Sequence, residues 1–100
     1  MQEQTDHKYV KAGHTWADPW NNNEEITCEY RFRKPGRSEI SRFTKEGPKS
    51  VTNAQNNLLI SLVHPDDLDR LKRDLDEYPA LLTTISGWVM KSSGFGDLGN

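Results

Sequence analysis

Residues 26–43 read ITCEYRFRKPGRSEISRF, Ile26 to Phe43, and the hydrophobic period changes partway through them. Ile26, Cys28, Tyr30 and Phe32 alternate with Thr27, Glu29, Arg31 and Arg33, the period-two pattern of a strand with one face on a core and one in water. Pro35 has no N–H to give a ladder, so it stops the strand. Gly36 then stands at a helix N-cap, with Glu39 three residues on, where a carboxylate can accept from the cap's N–H. A strand thus becomes a helix within three residues. This junction decides the fold class: α+β and mostly helical, a short N-terminal β-hairpin or strand followed by three to four short helices.

Downstream the helical period takes over. Ile40 and Phe43 give the first helix a short apolar edge, and Gly47-Pro48 ends it. Val51, Ala54, Leu58, Leu59 and Leu62 recur at helical spacing and predict a second helix starting near Ser50. His64-Pro65-Asp66-Asp67 reads as a third start, with proline at the first position, acids at the positive end of the helix dipole and His64 as a cap. Leu68, Leu71, Leu75 and Tyr78 are its buried stripe. After Pro79, the residues Leu81, Leu82, Ile85, Trp88 and Val89 predict a fourth helix to about Lys91, and the Gly/Ser-rich SSGFGDLGN that follows is expected to be a flexible tail.

Upstream the pattern is weaker. Lys8 to Val10 is expected to begin a strand and Asn21 to Asn23 to form a turn, since asparagine tolerates positive φ, with a long polar loop from His14 to Asn23. The expected organisation is an N-terminal arm with a first strand and loop over 1–25, a single strand-plus-helices domain over 26–91, and the tail over 92–100.

A chain of 100 residues with 33% hydrophobic composition has room for one core. The net charge of −2 gives no bulk attraction to phosphate backbones or anionic lipid, so nucleic acid and membrane are not expected partners. Cys28 is the only cysteine, which rules out an intrachain disulfide and fits a reducing cytoplasm. The polar start MQEQTDHK leads into no apolar signal stretch, and no segment approaches the ~20 apolar residues of a membrane span.

No residue set demands a reaction. His7, His14 and Cys28 match no zinc-finger spacing, so neither a metal nor another cofactor is expected. Cys28 sits on the apolar face of its strand with no histidine at a recognisable spacing, which makes it a small hydrophobe rather than a nucleophile. The carboxylates of DDLDRLKRDLDEY are matched by bases four residues away, Asp66–Arg70, Asp69–Arg73 and Lys72–Asp76, as on a solvated helix face. The chain is therefore expected not to be an enzyme. Charge is nonetheless uneven: Glu29–Lys49 holds seven basic against three acidic residues, and Asp66–Glu77 six acidic against three basic. These segments either face each other within one molecule or form complementary surfaces for partners.

Trp88 falls on a helical stripe and reads as core. Trp16 and Trp20 lie in polar sequence, where core and interface readings stand level, tryptophan being common at the centres of interfaces. The candidate protein-binding residues are Trp16, Trp20, Tyr30, Phe32 and Phe95.

The order of a strand ending YRFRKP, a helix beginning GRSEISRF, an apolar helix AQNNLLISLV, the start HPDDLDRL and then LDEYPALLTTISGWV resembles the small tail assembly chaperones of long-tailed bacteriophages and prophages, over residues 26–91. The resemblance implies a non-catalytic protein of the host cytoplasm that binds the tape measure protein and tail tube subunits during tail morphogenesis and is absent from the mature virion. The strand is expected to offer an edge for β pairing while three helices cover its apolar face, and self-association into a homo-oligomer is expected through that edge or through the oppositely charged segments. The reading from another class is a small DNA-binding regulator using the second and third helices as a helix-turn-helix. Asp66, Asp67 and Asp69 would then meet phosphates at the start of its recognition helix.

Overall fold

A computed structural model describes residues 8–94. Two antiparallel strands, β1 (Tyr9–Asp18) and β2 (Glu24–Arg33), form a hairpin. Four helices follow: α1 (Arg37–Glu46), α2 (Val51–Leu62), α3 (Leu68–Glu77) and α4 (Leu81–Ser92). The α+β, mostly helical class read from the sequence is what the chain adopts.

The strand-to-helix junction forms as its residues dictate. β2 ends at Arg33, Pro35 is buried, and the N–H of Gly36 donates to Glu39 Oε1 at 2.7 Å. The other oxygen of Glu39 accepts from Arg33 Nη2 at 3.1 Å, so a single carboxylate ties the end of the strand to the start of the helix. Burial of none of its residues separates α1 from the other helices. It packs on α2 through Ile40 and Phe43, so the apolar face of the sheet is covered by α2, α3 and α4. Ser50 caps α2 by accepting from the N–H of Asn53 at 3.2 Å, and Val51, read as part of the apolar stripe, is 60% exposed at the helix's first turn. Ahead of α3 a 3₁₀ turn runs from Pro65 to Asp67, with His64 Nδ1 accepting from the Asp66 N–H at 3.1 Å, so His64 is a cap as expected.

The first half of the stretch read as a polar loop, His14 to Asp18, is strand. β1 continues to Asp18, and the hairpin turns over Pro19–Asn23, where Asn22 and Asn23 take φ of 56° and 57°. Asp18 starts this turn by accepting the Trp20 N–H at 3.1 Å. The sequence hides the strand because Gly13, Ala17 and Asp18 are weak strand formers, yet Thr15 faces Thr27 across the ladder with their hydroxyls 3.0 Å apart. Ala12 is fully buried, and its single methyl lets α4 lie against β1. The folded body therefore includes residues 9–25 alongside 26–91.

Val10, Ala12, His14 and Trp16 stand opposite Phe32, Tyr30, Cys28 and Ile26 on the helix-facing side of the sheet. Tyr30 and Phe32 are each 1% exposed and meet Leu59, Leu62, Leu71 and Ile85, all fully buried. Trp88 packs against this core, as read.

The two edges of the hairpin are treated differently. β2 was expected to offer a pairing edge, but from Glu29 to Phe32 its outer edge is closed, chiefly by the segment joining α2 to α3. Phe32 bridges to Val63, the His64 N–H donates to the Arg31 carbonyl at 2.8 Å, and the Arg31 N–H donates to Asp67 Oδ2 at 2.8 Å. Arg70 adds a bond to the Glu29 carbonyl. Along the outer edge of β1, the side away from β2, no backbone bond forms among the described residues.

Candidate binding groove

Because side chains alternate along a strand, His14, Trp16 and Asp18 share one face of β1, and Trp20 continues that spacing into the turn. Across from them lies the junction of α3 and α4, Glu77 to Leu81 with Thr84. Between the two is an open groove of ≈ 590 Å³. Trp16 forms its wall, its ring 5.5 Å from His14 in a stacked arrangement and 5.0 Å from Tyr78 edge-on at 85°. Such tilted aromatic pairs fix one another's rotamers. Trp20 stands at the rim, 92% exposed.

Among the described residues, two carboxylates, Asp18 and Glu77, line the groove and no lysine or arginine does. Partial burial raises the pKa of the Tyr78 phenol, and the carboxylates of Glu77 and Asp18 push it further in the same direction. The groove thus combines apolar rings with negative potential, a surface suited to a cation carried on an apolar body. A second cleft, of ≈ 290 Å³, lies at the opposite end of β1, where Lys8, Arg33 and Lys34 surround Val10, Pro35 and Trp88. One end of the hairpin is acidic and aromatic, the other basic and apolar.

The structure divides the candidate binding residues. It brings Trp16 and Trp20 together in the groove and places Tyr30 and Phe32 in the core, where they have no surface for a partner. Period-two alternation puts them there: both lie on the strand face that α2, α3 and α4 cover. Phe95 lies outside the described residues. Tyr78, Asp18 and Glu77 were missed as groove residues. The alternation of His14, Trp16, Asp18 and Trp20 was the signal that could have found half of the groove.

The polar groups inside serve the fold. Tyr30 donates to Asp74 Oδ2 at 2.6 Å, and burial together with that carboxylate holds its phenol well above the usual range. Burial also pushes the Cys28 thiol up. Arg70 lies over the Tyr30 ring at 5.2 Å. The i,i+4 pairs read on the third helix are not what forms. Arg70 turns to the buried Asp67, 3.4 Å away, and Arg73 sits 3.8 Å from its neighbour Asp74. The two oppositely charged segments meet within the molecule through Arg31 and Asp67. No group of three His, Cys, Asp or Glu side chains is placed to hold a metal among the described residues, and no described helix is long and apolar enough to cross a membrane.

Residues 13–100 match a family described as a domain of unknown function, DUF6848. The chain belongs to that family. Its groove and hairpin therefore fall almost wholly within the family's span. The solved structure of the uncharacterised protein rbstp2171 from Bacillus stearothermophilus is similar in fold, with a TM-score of 0.69 and 25% sequence identity, covering 88% of this chain and 84% of that one. No curated protein matches the chain.

Proposed function

We propose that this DUF6848 protein is a tail assembly chaperone of a long-tailed bacteriophage or prophage. It acts without catalysis in the host cytoplasm, binds tape measure and tail tube subunits while the tail is built, and is left out of the mature virion. The observation that carries the reading is Trp20, presented almost bare at the rim of an aromatic, acid-lined groove. A tryptophan held in water by a fixed turn contributes nothing to the core, whereas tryptophan dominates the centres of protein interfaces. The groove's volume lies within the ~300–1,000 Å³ of ligand clefts, but it is open along one side, which suits side chains of another chain better than an enclosed small molecule. Its occupant is an amphipathic helix with an apolar stripe and a flanking lysine or arginine, the aliphatic stem lying on Trp16 and Trp20 and the charge meeting Asp18 and Glu77. A tape measure protein is a long helical chain that would expose such stripes until the tube closes around it.

The test is calorimetric titration of the full chain with helical peptides tiling the tape measure and tail tube proteins of the same genome. At least one apolar, basic peptide is expected to bind, and Trp20→Ala is expected to weaken it by about 30-fold, the loss of a ~2 kcal/mol hot spot, with the melting temperature unchanged. Absence of binding by every peptide, or binding that ignores Trp20→Ala, overturns the proposal.

A further inference from the structure

We infer that the open edge of β1 pairs antiparallel with the same edge of a second copy of this chain, in the register that sets Val10 opposite Trp16 and Lys8, the residue before the strand, opposite Asp18. The contrast between the two edges is the starting point. The chain spends a 3₁₀ turn, a buried aspartate and an arginine on closing the edge of β2 from Glu29 to Phe32, and leaves the β1 edge, ten residues long, without a partner among the described residues. A long unpaired edge is a template for another strand.

The second copy is indicated by self-complementarity. Val10 is 45% exposed although it shares the helix-facing side of the sheet with buried Phe32, so one apolar residue at the basic end lacks a neighbour. Trp16, at the acidic end, is likewise only partly buried, its ring meeting Tyr78 edge-on while part of it stays open to solvent. A two-fold axis through Gly13 brings these ends together twice. It sets Val10 against Trp16, the positive Lys8 against the negative Asp18, and Lys11 against Thr15 rather than against another cation. Gly13 meets Gly13 at the centre, where no side chains obstruct the approach.

Other registers fit worse. A one-residue slip turns the apolar face of one copy to the solvent side of the other. A two-residue slip toward the turn sets Val10 against Asp18 and His14 against His14. Lys8 lies in the basic cleft and Asp18 in the acidic groove, so the favoured register also superposes the positive end of one molecule on the negative end of the next. The result is a four-stranded sheet with both sets of helices on one side. Its backbone pairing runs along the β1 edge, and two of its side chains, Trp16 and Asp18, also line the groove.

Sedimentation of the full chain at low salt is expected to show a reversible dimer. Lys8→Glu should weaken it about tenfold by opposing two carboxylates at both ends, and the exchange Lys8→Glu with Asp18→Lys should restore it to within a few-fold. Register is read by mild oxidation. Because Cys28 is buried, the introduced thiols are the accessible ones. Lys11→Cys with Thr15→Cys should form a disulfide-linked dimer in high yield, and Lys11→Cys with Ala17→Cys should not. A strict monomer at the highest attainable concentration overturns the inference, as does a dimer indifferent to the charge exchange or equal cross-linking by the two cysteine pairs.

Discussion

Asp67→Ala tests how the closed edge of the sheet contributes to stability. The residue is 4% exposed, and its carboxylate accepts from the Arg31 N–H at 2.8 Å, from Arg31 Nε and Nη2 at 3.0 Å each, and from Arg70 Nη1 at 3.4 Å. Alanine removes all four acceptor contacts. The Arg31 and Arg70 side chains are 41% and 42% exposed, so water replaces most of what their guanidinium groups lose, and their share of the cost is small. What water does not readily replace is the acceptor for the backbone N–H of Arg31, which faces the segment packed along β2. Losing a charge-assisted bond to that group costs roughly 2–3 kcal/mol. For a chain of this size that is a fall in melting temperature of about 10 °C or more. Asp67→Asn keeps the shape and one acceptor oxygen and should cost about half as much.

Thermal and urea unfolding followed by circular dichroism measures both variants, the urea slope reporting whether the unfolded reference has changed. The pH dependence gives an independent check. Hydrogen bonds from the Arg31 side chain, then its N–H, hold the Asp67 carboxyl well below the usual carboxylate range, whereas an unfolded aspartate titrates near ~3.9. As pH falls through that unfolded value, the unfolded chain binds a proton that the folded chain refuses. The contribution of Asp67 is therefore full above the unfolded value and lost progressively as pH falls toward the folded one. Wild-type stability should decline below about pH 5, and the decline should be shallower in Asp67→Asn. A fall of less than about 4 °C for Asp67→Ala, or parallel pH curves for wild type and Asp67→Asn, would refute the reasoning.

Three further outcomes are expected. Tyr30→Phe removes the donor to Asp74 from a ring that is otherwise fully packed and should cost about 1–2 kcal/mol in urea unfolding, so a change under ~0.5 kcal/mol would show that the bond contributes nothing net. With its thiol buried and its pKa raised, Cys28 should react with an aromatic disulfide reagent only after unfolding, and rapid stoichiometric labelling of the native chain would contradict its placement in the core. Duplex DNA should bind no tighter than the micromolar range of non-specific contacts at physiological salt, because α3 and the turn before it expose Asp66, Asp69, Asp76 and Glu77 against Lys72 and Arg73, and a tighter, steeply salt-dependent affinity would revive the regulator reading.

What the sequence determined by itself was local. The alternation Ile26–Arg33, the stop at Pro35, the Gly36 cap with Glu39, the caps at Ser50 and His64 and the stripes of α2, α3 and α4 each depend on residues within about one or two turns of one another, and each formed as read but for Val51, which the stripe of α2 leaves exposed. Tertiary structure decided whatever depends on residues far apart in the chain. Asp67 reads locally as an acid at a helix start, but its carboxylate bonds Arg31, 36 residues earlier, and this contact closes one sheet edge and leaves the other open. Trp16 and Trp20 could not be told from core residues until Tyr78 and Glu77 came to rest opposite them, and Tyr30 and Phe32 could not be withdrawn as binding residues until three helices had covered them. A periodic pattern fixes which side of an element is apolar. Only packing decides whether that side is covered, because the covering groups come from elsewhere in the chain.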